Sequence, residues 1–350
     1  MTSTVFSTTG AYTMLQTSVD RVRAQLAKAQ TELGSGKPSD YGLTLGANTG
    51  VLVSLQQQQS ALQAIQQTNG VAQSRLDTTS TVLGSILDSA QSFLQSVVQN
   101  NPSAVSPATL QQQARDGLAS LRQALNTVVG GQAIFGGLNT DVTVMAQDPS
   151  ASGSAADNAF QSAFTGAFGM TSTDPNTANL DATQVDEFLQ GSFQQLFTPA
   201  AWNASWSSAN DTALSSRIGL TRTITSSISA NEQSIVTLAK AYSTIIDMPL
   251  GSMNPMAASA VIDSAARSAS DAVDGLTALQ ARVGTMQADL TASNQAISVQ
   301  IDTLTAGVEN LSPIDPYATA SKVTELQTQL QSAYSITAQL QKLSLGQYLS

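Results

Sequence analysis

The 350-residue chain contains neither cysteine nor histidine. The first absence excludes disulfides, thiolate metal sites and cysteine nucleophiles together. The second removes the commonest general base and metal ligand. Charge is also scarce: Asp, Glu, Lys and Arg make up 11% of the residues, against about 25% in an ordinary soluble domain. Gln, Ser, Thr, Asn and Ala take its place, a surface that stays polar yet repels identical neighbours weakly. Between Arg122 and Arg217 there is no Lys or Arg at all. That stretch holds eight acids (Asp141, Asp148, Asp157, Asp174, Asp181, Asp186, Glu187 and Asp211), so most of the net charge of −10 lies in the middle of the chain. No basic stripe is available to displace phosphate counterions, which argues against a nucleic-acid partner. No apolar run approaches the roughly 18 residues of a membrane span, so no membrane insertion is expected. Met1 to Gly10 lacks the basic and apolar regions of a cleaved signal peptide. This leaves a cytoplasmic location, or export by a route without such a signal.

What the chain has is heptads. Tyr12, Leu15, Val19, Val22, Leu26, Ala29 and Leu33 recur in alternating steps of three and four, the period of a left-handed coiled coil. Gly34-Ser35-Gly36-Lys37-Pro38 stops that helix, and a Gly-rich loop is expected to about Gly50. A long helix is predicted from Val51 to Val98, with Leu52, Leu55, Gln59, Leu62, Leu76, Leu83, Leu87, Ala90, Leu94 and Val97 on its seam and Asn100-Asn101-Pro102 as its end. Another is predicted from Pro107 to Val129, capped by Ser106, with Leu110, Leu118, Leu121, Leu125 and Val128 on one side. From Gly130 to about Arg217 Gly, Ser, Asp and Pro break the pattern, and most Phe and both Trp residues collect there, as in an inserted domain. Helices return from Ile218 to Leu311, most clearly along Leu276, Leu279, Val283, Met286, Leu290, Ile297, Ile301, Leu304, Val308 and Leu311. After Pro313 and Pro316 a last helix carries Val323, Leu326, Leu330, Ala333 and Leu340, and ends in Leu343-Ser344-Leu345-Gly346-Gln347-Tyr348-Leu349.

The fold class is therefore mainly α: a long antiparallel coiled coil or helical bundle built from both termini, with an inserted mixed α/β or β-rich outer domain. The expected divisions are 1–40 with 312–350 as a terminal coiled-coil region, 41–138 with 217–311 as a helical bundle, and 139–216 as the insert. The competing reading is an ordinary helical bundle, which packs at the same geometry.

Few residues suggest chemistry. Asp181, Asp186 and Glu187 could serve a carboxylate hydrolysis, but a solvated acidic face is the simpler reading. Trp202 and Trp206, with Phe193 and Phe197 upstream, could stack on a sugar; such a set is more often the core of a small domain. Gly34-Ser35-Gly36-Lys37 lacks the spacing and preceding strand of a phosphate loop. Asp141 and Asp148 lack the spacing of a calcium loop. Serine hydrolase motifs are missing. No cofactor, metal or catalytic residue is expected, and the chain is not expected to be an enzyme.

Four segments resemble the flagellin superfamily. The N-terminal seam runs into Ser35-Gly36-Lys37-Pro38-Ser39-Asp40, similar to the family's Gly-Lys/Arg turn and Ser-Asp pair, although the family's Asp-Asp-Pro is here Asp40-Tyr41-Gly42. Gly130-Gly131-Gln132-Ala133-Ile134-Phe135-Gly136-Gly137-Leu138-Asn139-Thr140-Asp141 is similar to the Gly-x-aromatic-x-Phe-x-Gly signature of the hook–filament junction members. Ile134 stands where an aromatic residue or Leu is common. Arg282-Val283-Gly284 resembles the Arg-x-Gly that opens the family's returning helix. The terminal Leu-Ser-Leu pattern from Leu343 again resembles junction members, whereas the acidic pair before the last helix is reduced to Asp315-Pro316-Tyr317. The resemblance spans about 1–141 and 218–350; the insert matches nothing. It implies a structural subunit of the bacterial flagellum, located outside the cell, that connects hook to filament by self-assembly into a ring. It also implies export through the flagellar type III apparatus without a cleaved signal. The implied partners are copies of itself, the other hook-associated protein, flagellin and a type III export chaperone. The implied assembly seam is Leu15, Val19, Val22, Leu26, Leu326, Leu330, Leu340, Leu343 and Leu345, and the helix-to-insert turn is Gly131, Phe135, Gly136 and Gly137. The alternatives are a filament flagellin or, on the insert, an adhesin or carbohydrate-binding module.

Overall fold

The computed structural model describes residues 8–99, 106–311 and 313–348, and leaves out the side chains of 8, 9, 11, 12 and 340–348. The long helices are α1 (Thr8–Ser35), α3 (Thr49–Gln99), α10 (Pro255–Leu311) and α11 (Pro316–Tyr348). Between α1 and α3 lies the short α2 (Tyr41–Leu45). The rest comprises α4 (Pro107–Leu125), the hairpin β1 (Val128–Val129) and β2 (Gln132–Ala133), α5 (Ala155–Phe168), α6 (Ala182–Gln190), α7 (Ser192–Gln195), α8 (Pro199–Ser205), the hairpin β3 (Ser215–Arg217) and β4 (Thr223–Thr225), and α9 (Gln233–Asp247). The chain is mainly helical, with short strands confined to the edges of a small central insert.

The chain divides into two compact units, residues 1–63 with 298–350 and residues 64–297. In the first, α1 packs along α11, burying Val19, Ala29 and Leu326. The helix ends as its residues dictate. Gly36 takes φ +68° and donates its N–H to the Glu32 carbonyl at 2.9 Å, a left-handed stop that Gly makes without Cβ strain. The expected loop from there to Gly50 contains α2, because Asp40 caps it by accepting from Leu43 N at 3.1 Å. Asp315 caps α11, accepting from Tyr317 N and Ala318 N at 2.9 and 3.1 Å, with Pro316 in the first turn. In the same unit Gln59 of α3 donates to Thr305 Oγ1 of α10 at 2.9 Å.

In the second unit α3 runs beside α10. Asp77 accepts from Gln287 at 2.7 Å, and Asn69 donates to Asn294 at 2.7 Å, so steps up one helix match steps down the other. Leu76, Leu83, Ala90 and Val97 of α3 are buried, as are Leu276, Leu279, Val283 and Leu290 of α10. α10 begins at Pro255, well before its strong heptads, and its first half buries small residues (Ala257, Ala265, Ser268, Ala269 and Ala272). Arg282-Val283-Gly284 thus lies inside α10 rather than opening a helix. α4 buries Leu110, Ala114, Leu118, Leu121 and Leu125. It stops at Leu125 instead of reaching Val129, and Val128 is an exposed strand residue. Gly130 and Gly131, with φ +60° and +81°, form the two-residue turn that pairs Val128 with Ala133. Both central positions of such a turn require positive φ. The stretch from Ile218, expected to be helical, opens instead in the β3–β4 hairpin. Its Ile218 carbonyl accepts from Asn69 Nδ2 and Ser293 Oγ at 3.1 and 2.6 Å, which fastens it to both long helices.

Many Ser and Thr residues of the long helices fold their hydroxyls back onto the carbonyl four residues earlier. Thr78, Thr81, Ser92 and Ser96 do so on α3, Thr277 and Thr285 on α10, and Thr324, Thr328 and Ser332 on α11. In a helix this is the local partner such hydroxyls find.

Candidate assembly site

The α1–α11 pair does not cover its own seam. Val19 and Leu326 are buried, but Leu15, Val22, Leu26 and Leu330 are only half-buried. Leu340, Leu343 and Leu345 lie on α11, with side chains outside the described ones. A groove of about 560 Å³ runs between the two helices, lined by Leu15, Ser18, Glu325, Thr328, Gln329, Ser332, Ala333 and Ile336. Arg23 fixes one side of the pair: its Nε donates to Tyr334 Oη at 2.7 Å, and its guanidinium carbon lies 5.3 Å from the ring centroid. Half-covered apolar area of this kind is worth about 25 cal/mol per Å² to whatever finally excludes water from it.

The helix-to-insert turn is a knot of backbone. Phe135 is fully buried and its carbonyl accepts from Ala230 N at 2.8 Å. The Gly136 carbonyl accepts from Asn210 N at 2.9 Å and Asn139 N at 3.1 Å, and Leu138 N donates to the Thr212 carbonyl at 3.0 Å. The two ends of the insert are therefore tied together at one neck. Gly137 has φ +60°, and a Cβ there would collide with the Asn210 carbonyl oxygen and lie 2.8 Å from that of Thr212. A Cβ at Gly136 would run into the Asn139 carbonyl. These two glycines are needed for close approach. Gly131 is needed only for its turn, since open space surrounds it. Asn210 and Thr212, the partners across the neck, carried no sequence signal.

The insert beyond the neck is filled by aromatic rings. Phe160, Phe164, Phe188 and Phe193 meet at centroid distances from 5.6 to 6.3 Å, and Phe197 continues the set to Trp206 at 5.5 Å. Trp202 and Trp206 stack at 5.1 Å with 12° between planes, and both are buried: they are core. The acids considered for hydrolysis are dispersed in role. Asp181 caps α6 in a capping box with Gln184, Asp186 lies 3.6 Å from Arg267, and Glu187 is exposed. No group of three metal-ligating side chains occurs among the described residues, and no described helix is long and apolar enough to cross a membrane.

Paired terminal helices with half-buried seam residues and a necked insert make this a mainly helical protein. Residues 6–140 match the bacterial flagellin N-terminal helical region and residues 267–349 the bacterial flagellin C-terminal helical region. The chain belongs to the flagellin family: it is a flagellar structural protein, not an enzyme, and the family implies an extracellular place in the flagellum and assembly with itself and other flagellar proteins. A solved Vibrio parahaemolyticus structure, provisionally assigned as a flagellar hook-associated protein, is similar in fold, with a TM-score of 0.50 at 11% identity over 76% of this chain and 97% of that one. No curated protein matches the chain in sequence.

Proposed function

We propose that this chain is a junction subunit that joins hook to filament by assembling into a ring. The neck carries the proposal. Gly130 to Asp141 has the sequence resemblance to junction members, and in the fold it ties both ends of the insert to the bundle through Phe135, Gly136 and Gly137. Rings and open helices both arise from heterologous contacts repeated about an axis, and the half-covered Leu15, Val22, Leu26 and Leu330 are the surface those contacts would bury. On this reading residues 1–40 and 312–350 form the assembly region. Residues 41–138 and 217–311 form the next layer, and 139–216 faces outward. The other hook-associated protein lies on one side of the ring and flagellin on the other. A chaperone holds the C-terminal helix before export through the flagellar type III apparatus, without a cleaved signal.

The test is electron microscopy of flagella from a strain lacking the chain. Hooks without filaments, with flagellin lost to the medium, are expected. Normal hooks and filaments would overturn the proposal, and filaments lost without leakage would make the chain a filament flagellin.

A further inference from the structure

The second unit has a cavity of about 250 Å³ between α8 and the start of α9, lined by Trp202, Asn203, Asp211, Asn231, Glu232 and Gln233 together with Pro199, Ser229 and Val236. Its hydrogen bonds show which polar groups of the wall are already engaged. The Trp202 indole can only donate, and it donates to Asn231 Oδ1 at 2.9 Å. That fixes the orientation of the Asn231 amide. Its Nδ2 faces Asn203 Oδ1, the Ala209 carbonyl and Asp211 Oδ1 at 2.9, 3.1 and 2.6 Å, so two protons serve three acceptors. Ser229 Oγ donates to the Asn210 carbonyl at 2.8 Å. The side-chain donors of Trp202, Ser229 and Asn231 are consumed inside the wall; Asn203 is bonded there through its oxygen alone, and lone pairs of Asp211, Asn203 and Glu232 remain.

Charge points the same way. The N-terminus of α9 brings about +0.5 of a charge to the rim, which opposes a cation and has to be outweighed by the acids. Glu232 is paired with Arg282, whereas the Asp211 carboxylate has no cation within ion-pair distance among the described residues. The surrounding insert adds acids and no bases. A sugar platform would need an open ring face, and Trp202 is 1% exposed. The volume is below the roughly 300 Å³ at which drug-sized sites begin, and suits a single side-chain head group.

We propose that this cavity binds a guanidinium group, with Asp211 as its charged anchor and Asn203 and Glu232 as further acceptors. A planar fork of N–H donors matches a wall of spare acceptors. The group could come from an arginine side chain of a partner polypeptide or from a small guanidino compound.

The test uses the two tryptophans of the full chain, because Trp202 N–H reports directly on Asn231. Indole N–H resonances are followed by NMR at low salt during titration with N-acetyl-argininamide, agmatine and methyl glucoside. A saturable shift with N-acetyl-argininamide supports the proposal for a polypeptide side chain. A shift confined to agmatine supports it for a small compound with a second cationic end. Binding should weaken at least tenfold in Asp211→Asn and vanish in Asn203→Lys, both at exposed positions and checked for folding by circular dichroism. No saturable shift with either guanidinium probe, unchanged affinity in both variants, or a response to methyl glucoside alone would overturn it.

Discussion

The ring of Tyr242 on α9 lies directly against the backbone of Gly117 on α4. A Cβ added at Gly117 would fall 2.7 Å from Cζ and closer still to Cε1. The ring also meets Phe93 of α3 at 4.7 Å, and its hydroxyl lies 3.3 Å from Ser89 Oγ. One side chain thus sets the separation of three helices. Gly117→Ala, though it raises helix propensity, should lower stability by about 1–3 kcal/mol through overpacking, read as an earlier urea midpoint. Tyr242→Phe keeps the ring and should cost about 1 kcal/mol or less.

Asp247 ends α9 with its carboxyl enclosed, and burial pushes its pKa from 3.8 to about 7. The Ser243 hydroxyl opposes the shift, the Asp157 carboxylate adds to it, and the Arg115 guanidinium opposes it. Since the folded value lies above the unfolded one, the folded chain holds a proton that the unfolded chain has lost between about pH 4 and 7. Asp247 therefore contributes stability below about pH 4 that is lost as pH rises through 7. Asp247→Asn should gain on the wild type across this window, by up to about 1.4 kcal/mol per unit of pH. Denaturation midpoints of both proteins at pH 4, 5.5 and 7.5 would show it, and parallel curves would refute it.

The neck glycines should separate by cause. Gly131→Ala meets only the left-handed backbone penalty, roughly 1–2 kcal/mol. Gly137→Ala adds a clash with two carbonyls and should cost clearly more. Thermal melts rank them, and equal losses would mean that the neck yields.

On the seam, Val22→Asp should leave the second unit folded but prevent assembly, because Val22 is only half-buried in the single chain. Arg23→Ala removes an exposed contact and should cost the monomer no more than about 1 kcal/mol. Sedimentation of purified protein and microscopy of complemented cells would distinguish the two.

The long helices were legible because Leu52, Leu62, Leu76 and Leu83, like Leu276, Leu279 and Val283, repeat at coiled-coil spacing and are all buried. The start of α10 was not singled out, because its buried face there is Ala and Ser, whose periodicity carries little hydrophobic contrast. The leucine repeat of α4 extends the helical reading to Val128, although two β-branched residues before Gly130-Gly131 are a hairpin signal. The β3–β4 hairpin is not legible, because its strands are short and rich in Ser and Thr and its turn is held at the Ile218 carbonyl by Asn69 and Ser293, residues remote in the chain. The cavity beside Trp202 escaped for the same reason, since it joins α8, the segment around Asp211 and the start of α9.

The back-bonded hydroxyls of the long helices bear on how such a surface meets a neighbour. A serine or threonine whose proton already rests on its own helix carbonyl needs no acceptor from a neighbour, while its oxygen still accepts. Stripping water from an unpaired polar group costs kilocalories, and here the donor half of that cost is met within each helix. A chain rich in polar residues and poor in charged ones can therefore present flanks that ask fewer hydrogen bonds of a neighbour than free hydroxyls would, yet remain wettable while alone.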